Sequence, residues 1–297
     1  MSFVPIDDRD GWIWMDGEFV PWREAKAHVL THALHYGSAV FEGERMYDGE
    51  IFKLTEHSER LVKSAELLDF KIPYSVAEID QACKDACERN GFKDCYIRPL
   101  AWRGSEQVSV SATHSTIHLA IACWEWPSYF DAEAKKRGIR LTWAKYARPA
   151  PNTAPVNSKA AGLYMICTMS KMAAEEAGYA DALMLDWRGY VAEATGANVF
   201  FVKGKEIHTP KVDAILNGIT RLTLIDLAKE RGYEVVVRDI KPEELSSFQE
   251  CFLTGTAAEV TPVSEIGEYR FTPGAASLGL MDDYFRLVRR LPRAEAA

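Results

Sequence analysis

Lys159 stands in a setting that invites covalent chemistry. Its segment, Pro155-Val-Asn-Ser-Lys-Ala-Ala-Gly-Leu-Tyr164, follows a loop, Arg148 to Pro155, interrupted by Pro149 and Pro151. Each proline fixes φ and removes a backbone donor, so this loop is stiff and non-helical. A run with helical spacing follows. The lysine therefore lies where rigid loop becomes helix, between small residues that let a planar ligand approach its amine. A lysine so placed can form a Schiff base with an aldehyde cofactor. The position equally suits a solvated lysine at a helix start.

An aldehyde cofactor such as pyridoxal phosphate asks the protein for more: a partner for the ring nitrogen, donors for the phosphate and a group for the ring hydroxyl. Glu193, in Val191-Ala-Glu-Ala-Thr-Gly-Ala-Asn-Val-Phe200, can hold a proton on a pyridine nitrogen through a charge-assisted hydrogen bond. Gly218-Ile-Thr-Arg221 opens a helical run, and the free amides of Ile219 and Thr220 at its positive end suit a phosphate. Thr256 can add a hydroxyl, Arg60 a bidentate fork, and Tyr164 a donor to the ring hydroxyl. Each also has a plain structural reading: a strand-end acid, an ordinary helix start, a solvated arginine, a core tyrosine.

The elements that must carry these groups follow from spacing. Asp16-Gly17 and Asp48-Gly49 join short apolar runs as tight hairpin turns. Thr55 to Phe70 reads as a helix with Leu61, Ala65 and Leu68 on one stripe. Ser75 with Glu78 forms a capping box for a second helix that stops at Gly91. In the strand from Asp94 to Trp102, period two puts Tyr96, Arg98, Leu100 and Trp102 on one face, Cys95 and Ile97 on the other. Pro99 suggests an edge or a strand end. A C-terminal helix is expected from Met281 to Leu291.

At 297 residues the chain exceeds one comfortable core, so two domains are expected. The boundaries read as 1–127, a connector at 128–136, and 137–297. A net charge of −8 without basic, aromatic-interleaved clusters argues against nucleic acid. No apolar run approaches membrane length. The N-terminus lacks signal-peptide character, and six cysteines without a Cys-x-x-Cys pair suit a reducing, cytoplasmic setting. His32, His35 and His57 lack the helical spacing of a metal hydrolase, so no metal site is expected.

Taken in order, Leu34-His-Tyr-Gly37, Phe41-Glu-Gly43, Tyr96-Ile-Arg-Pro99, the Lys159 segment, Glu193 with Asn198 and Phe200, Gly218-Ile-Thr-Arg221 and Gly255-Thr-Ala-Ala-Glu-Val-Thr-Pro262 make a series. Through it the chain resembles the branched-chain amino acid aminotransferases of the fold type IV pyridoxal phosphate enzymes, over nearly its whole length. The resemblance implies an α/β (α+β) fold of two domains with pyridoxal 5'-phosphate in the cleft between them. It implies Lys159 as Schiff-base lysine and proton shuttle, Glu193 on the ring nitrogen and Tyr164 on the ring hydroxyl. Arg60, Ile219, Thr220 and Thr256 would hold the phosphate. Tyr96 and the amides of Thr256 and Ala257 would hold the substrate α-carboxylate. Tyr36, Phe41, Trp126, Tyr129 and Tyr164 would wall an apolar pocket, with Arg98 receiving the second carboxylate of glutamate.

The family forms dimers, in some members hexamers, so a homo-oligomer is expected. Two departures bear on substrate preference: Arg103-Gly-Ser-Glu-Gln-Val-Ser-Val110 replaces a Gly-rich loop, and Ala160-Ala161 precedes Gly162 where a Gly pair is common. The alternative is a D-amino acid or (R)-amine transaminase of the same fold. The D-specific pattern is Arg-x-His on the substrate strand, and here Leu100 follows Arg98.

Overall fold

The computed structural model describes residues 5–126 and 132–292. It divides into two compact units, Met1–Pro127 with Ser158–Gly162, and Ser128–Asn157 with Leu163–Ala297. The five residues around Lys159 thus pack with the first unit rather than with the later stretch that flanks them in sequence.

The first unit holds β1 (Trp12–Met15), β2 (Glu18–Pro21), α1 (His32–Tyr36), β3 (Ala39–Phe41), β4 (Glu44–Tyr47), β5 (Glu50–Ile51), α2 (Leu54–Glu66), α3 (Val76–Arg89), β6 (Cys95–Arg103) and β7 (Ile117–Trp124). Its sheet runs β2-β1-β7-β6-β4-β5, with β3 also paired to β6. Both residues of each expected hairpin turn, Asp16-Gly17 and Asp48-Gly49, take positive φ, as a primed turn requires. The Ser75 capping box forms in both directions: Ser75 N donates to Glu78 and Glu78 N to Ser75 Oγ. Cys95 and Ile97 enter the core with Leu61, Ala65, Ile79 and Cys83, which leaves Tyr96 and Arg98 on the opposite face.

Pro99 departs from expectation, because β6 is paired along both sides, to β7 and to β3 and β4. In an antiparallel strand a residue's N–H and C=O point the same way. The Pro99 carbonyl accepts from Glu42 N, so its missing donor falls at the Glu42-Gly43 break between β3 and β4, where the ladder is already interrupted.

Glu44 is fully buried, and neither carboxylate oxygen has a hydrogen-bond partner among the described residues. Burial, then the neighbouring Glu42 anion, raises its carboxyl well above the ordinary value of 4.5, so the folded protein holds it neutral. Because the folded value is the higher one, its stabilising effect is complete below pH 4.5 and is lost as pH rises above it. Glu44→Met should therefore stabilise the protein at neutral pH by about 1–3 kcal/mol. In thermal melts the advantage should shrink as pH falls toward the ordinary carboxyl value. An advantage independent of pH would mean that the acid is already ionised and paired in the fold.

The second unit holds α4 (Ala132–Arg137), β8 (Ile139–Trp143), α5 (Tyr164–Glu176), β9 (Asp181–Leu185), β10 (Val191–Ala194), β11 (Asn198–Lys203), β12 (Glu206–Thr209), α6 (Ile219–Glu230), β13 (Glu234–Val237), β14 (Glu250–Gly255), β15 (Glu259–Ile266), β16 (Tyr269–Arg270) and α7 (Ala275–Val288). Its sheet runs β10-β9-β8-β15-β14-β11-β12-β13, and a further pairing of β10 with β11 closes six strands into a ring. Leu141, Leu183, Val199, Phe201, Leu253 and Val263 fill its core. The final helix begins at Ala275, earlier than its apolar spacing suggests. The Glu250 carboxylate accepts from the amides of Gly274, Ala276 and Ser277 and so caps the helix from a strand remote in sequence. All six cysteines are free and buried. Among the described residues no helix is long and apolar enough to cross a membrane.

Candidate active site

In the first unit Lys159 is fixed by its backbone. Its amide donates to Ser64 Oγ on α2 at 3.0 Å, its carbonyl accepts from Phe41 N at 3.2 Å, and Ala160 bridges Val40. The amine lies 4.9 Å from the centre of the Phe41 ring, over which the Arg98 guanidinium also stands, at 4.6 Å. One aromatic ring thus receives two cations, each attracted by the ring quadrupole. Arg98 Nη2 donates to the Tyr96 hydroxyl at 2.8 Å, and the Tyr96 ring packs on Trp126 with centroids 5.1 Å apart. Lys159, Phe41, Tyr96, Arg98 and Trp126 are therefore assembled on one side of the sheet. Gly43 makes room for this, since a Cβ there would collide with the Tyr96 hydroxyl. Tyr36 is not drawn into the group: it is exposed and rests on the His32 ring, 4.6 Å between centroids. Tyr129 lies outside the described residues.

Arg60 binds a carboxylate of the protein's own. Its Nε and Nη2 donate to Glu42 at 2.7 and 2.8 Å, and Glu42 also receives His57 Nδ1 at 2.7 Å. Burial alone would raise the Glu42 carboxyl, but the Arg60 guanidinium and then His57 outweigh it and hold it well below the usual carboxylate range. Burial likewise depresses His57, which is neutral near pH 7 and donates from Nδ1. His32 bonds Ser38 and Ser109, and His35 the Val29 carbonyl, so the three histidines serve separate local contacts.

In the second unit Glu193 is buried and pairs across the ladder with Asn198. Asn198 Nδ2 donates to Glu193 Oε2 at 3.1 Å and to the Leu216 carbonyl at 2.9 Å. Arg148 Nε lies 3.3 Å from Glu193 Oε1 while donating to the Ala214 carbonyl at 2.9 Å. The buried carboxylate thus has a guanidinium beside one oxygen and an amide donor on the other. Ile219 and Thr220, both buried, open α6, whose first turn has no side-chain cap. Gly218, just before them, abuts Asn198 so closely that a Cβ would overlap Asn198 Oδ1. Arg221 ties this turn to the preceding loop through Asn217 and the Pro210 carbonyl. Tyr164 and Ala257 line one cavity of about 240 Å³ with Cys167, Thr195 and Gly196. Thr256 follows Gly255 at the end of β14 and is half-buried. Two residues earlier, within β14, the buried Thr254 hydroxyl lacks a partner among the described residues.

Sequence reasoning does not find Arg148, and gives no role to Glu42 or to His57 beyond the discarded metal reading. The only local sign of Arg148 is that it heads the Pro-rich loop.

Each unit brings donors of the kind pyridoxal phosphate uses: the first an amine over an aromatic ring, the second a buried carboxylate and a helix start without a side-chain cap. The chain belongs to the amino-transferase class IV family, whose model matches residues 39–266. It is 42% identical over 302 residues to the branched-chain-amino-acid aminotransferase of Pseudomonas aeruginosa, covering 99% of this chain and 98% of that one. Among solved structures, it superposes with a TM-score of 0.91 on the branched-chain aminotransferase of Thermoproteus uzoniensis with norvaline, at 35% identity, covering 95% of this chain and 96% of that one. It also matches the branched-chain amino acid aminotransferase of Thermobaculum terrenum in its PLP form, with a TM-score of 0.86, 31% identity and 95% coverage of both chains.

Proposed function

We infer that this protein is a pyridoxal 5'-phosphate-dependent aminotransferase that moves the amino group between L-leucine, L-isoleucine or L-valine and 2-oxoglutarate. The observation that carries the reading is the Phe41 ring with the Lys159 amine and the Arg98 guanidinium both over it. An apolar wall suits a branched side chain, and the cation beside it suits the second carboxylate of glutamate. The relatives named for branched-chain substrates support the same choice.

Pyridoxal phosphate, when bound, supplies an aldehyde that condenses with an amine and a ring that draws electrons from the bond to be broken. Lys159 would attach it and then take and return the proton at the substrate Cα as general base and acid. Glu193, oriented by Arg148 and Asn198, would hold the proton on the ring nitrogen. Tyr164 would donate to the ring hydroxyl. The amides of Ile219 and Thr220, the Thr256 hydroxyl and Arg60 would bind the phosphate. Tyr96 with the amides of Thr256 and Ala257 would orient the substrate α-carboxylate, while Phe41, Trp126, Tyr129 and Tyr164 would exclude water from the side chain. This reading requires Lys159 and Glu193 to act on one ring.

The exposed apolar side chains of Val29, Leu34 and Val110 on the first unit and of Met165, Met169 and Met172 along α5 support a homo-oligomer. Six free, buried thiols fit a reducing, cytoplasmic setting.

Assays with 2-oxoglutarate as acceptor should show turnover of L-leucine, L-isoleucine and L-valine with ping-pong kinetics, and little turnover of their D-enantiomers or of simple amines. Preferential use of D-alanine or of an (R)-amine would overturn the assignment.

A further inference from the structure

We propose that Glu42 is a positioning residue for the phosphate end of the cofactor site, acting through Arg60. The proposal rests on the reading of Arg60 and Lys159 given above. Glu42 has no exposed surface, and folding alone does not call for such a group, because a buried ion pair is often no more stable than apolar residues of the same volume. What the pair provides is direction. Glu42 grips the guanidinium along one edge, through Nε and Nη2, which fixes the plane of the fork as a single contact would not. His57 Nδ1 fixes the carboxylate in turn.

The connection to Lys159 is short. Arg60 and Ser64 are four residues apart on α2 and so share a face; Ser64 receives the Lys159 amide. On β3, Phe41 lies under the Lys159 amine and donates its own amide to the Lys159 carbonyl, and the next residue is Glu42. One turn of helix and one dipeptide therefore set the separation between the amine and the phosphate-binding cation. A cofactor whose aldehyde and phosphate lie at a fixed span needs that separation to be constant.

The test compares apo-protein binding of pyridoxal 5'-phosphate with binding of pyridoxal, which lacks the phosphate, by tryptophan quenching and visible absorbance. Glu42→Gln and Arg60→Gln should each weaken pyridoxal phosphate at least about tenfold and leave pyridoxal within about twofold. The double variant should bind no more weakly than Arg60→Gln alone. Melting of the apo-proteins checks folding. If Glu42→Gln does not fold, His57→Asn, which releases the carboxylate, should produce a smaller loss that is again confined to the phosphorylated ligand. A normal Arg60→Gln result beside a Glu42→Gln variant that is unchanged, that loses both ligands equally, or that adds fully to Arg60→Gln overturns the proposal alone. An Arg60→Gln variant without selective loss overturns the underlying reading and the proposal with it.

Discussion

Lys159→Ala is expected to fold, to bind pyridoxal 5'-phosphate without covalent attachment, and to lose at least about 10³-fold in kcat. Folding should survive because the contacts that fix this segment belong to its backbone: the amide to Ser64, the carbonyl to Phe41, and the Ala160–Val40 bridge. The amine contributes a cation–π contact to Phe41, worth about 0.5–1 kcal/mol where partly exposed. Activity should not survive, because alanine can neither attach the cofactor nor move the proton at Cα. Dialysis followed by a visible spectrum reads the attachment, and single-turnover mixing with L-leucine reads the proton transfer. A variant that retained both would assign the chemistry to another amine.

Where the sequence was legible, the controlling interaction was local. Ser75 and Glu78 are three residues apart, Asp16-Gly17 is a dipeptide, and the shared face of Tyr96 and Arg98 follows from the two-residue period of a strand. These features form as expected. The expectations that shifted depend on partners far along the chain. The start of α7 is set by Glu250, and Pro99 is tolerated because the ladder breaks opposite it at Glu42-Gly43. The site shows the same division. Lys159 and Glu193 stand out by segment, but the residues that hold Arg60 and Glu193 in place, Glu42 and Arg148, are joined to them across long stretches of chain. A carboxylate in a Phe-Glu-Gly tripeptide and an arginine before a proline carry no periodic signal that could announce such roles.

Gly218→Ala should reduce activity by about 10- to 10²-fold, with a larger effect on cofactor affinity than on the fold. The added methyl would overlap Asn198 Oδ1 and press on Arg221 Cβ. A flexible side chain could move aside at little cost. Asn198 cannot do so freely: it is buried, and its Nδ2 is bound to Glu193 Oε2 and to the Leu216 carbonyl. Displacing it removes one of the two groups that hold the buried Glu193 carboxylate in place, and leaving a buried polar group unsatisfied costs about 1–3 kcal/mol. The backbone φ at position 218 is −65°, which alanine adopts without strain, so any loss comes from the collision and not from the backbone. Asn198→Ala in the Gly218→Ala background separates the two effects. With the obstructing side chain gone the methyl should fit, and phosphate-dependent affinity should recover while the effect on Glu193 remains. If the double variant bound pyridoxal phosphate as weakly as Gly218→Ala, the glycine would be acting on the phosphate directly rather than through Asn198.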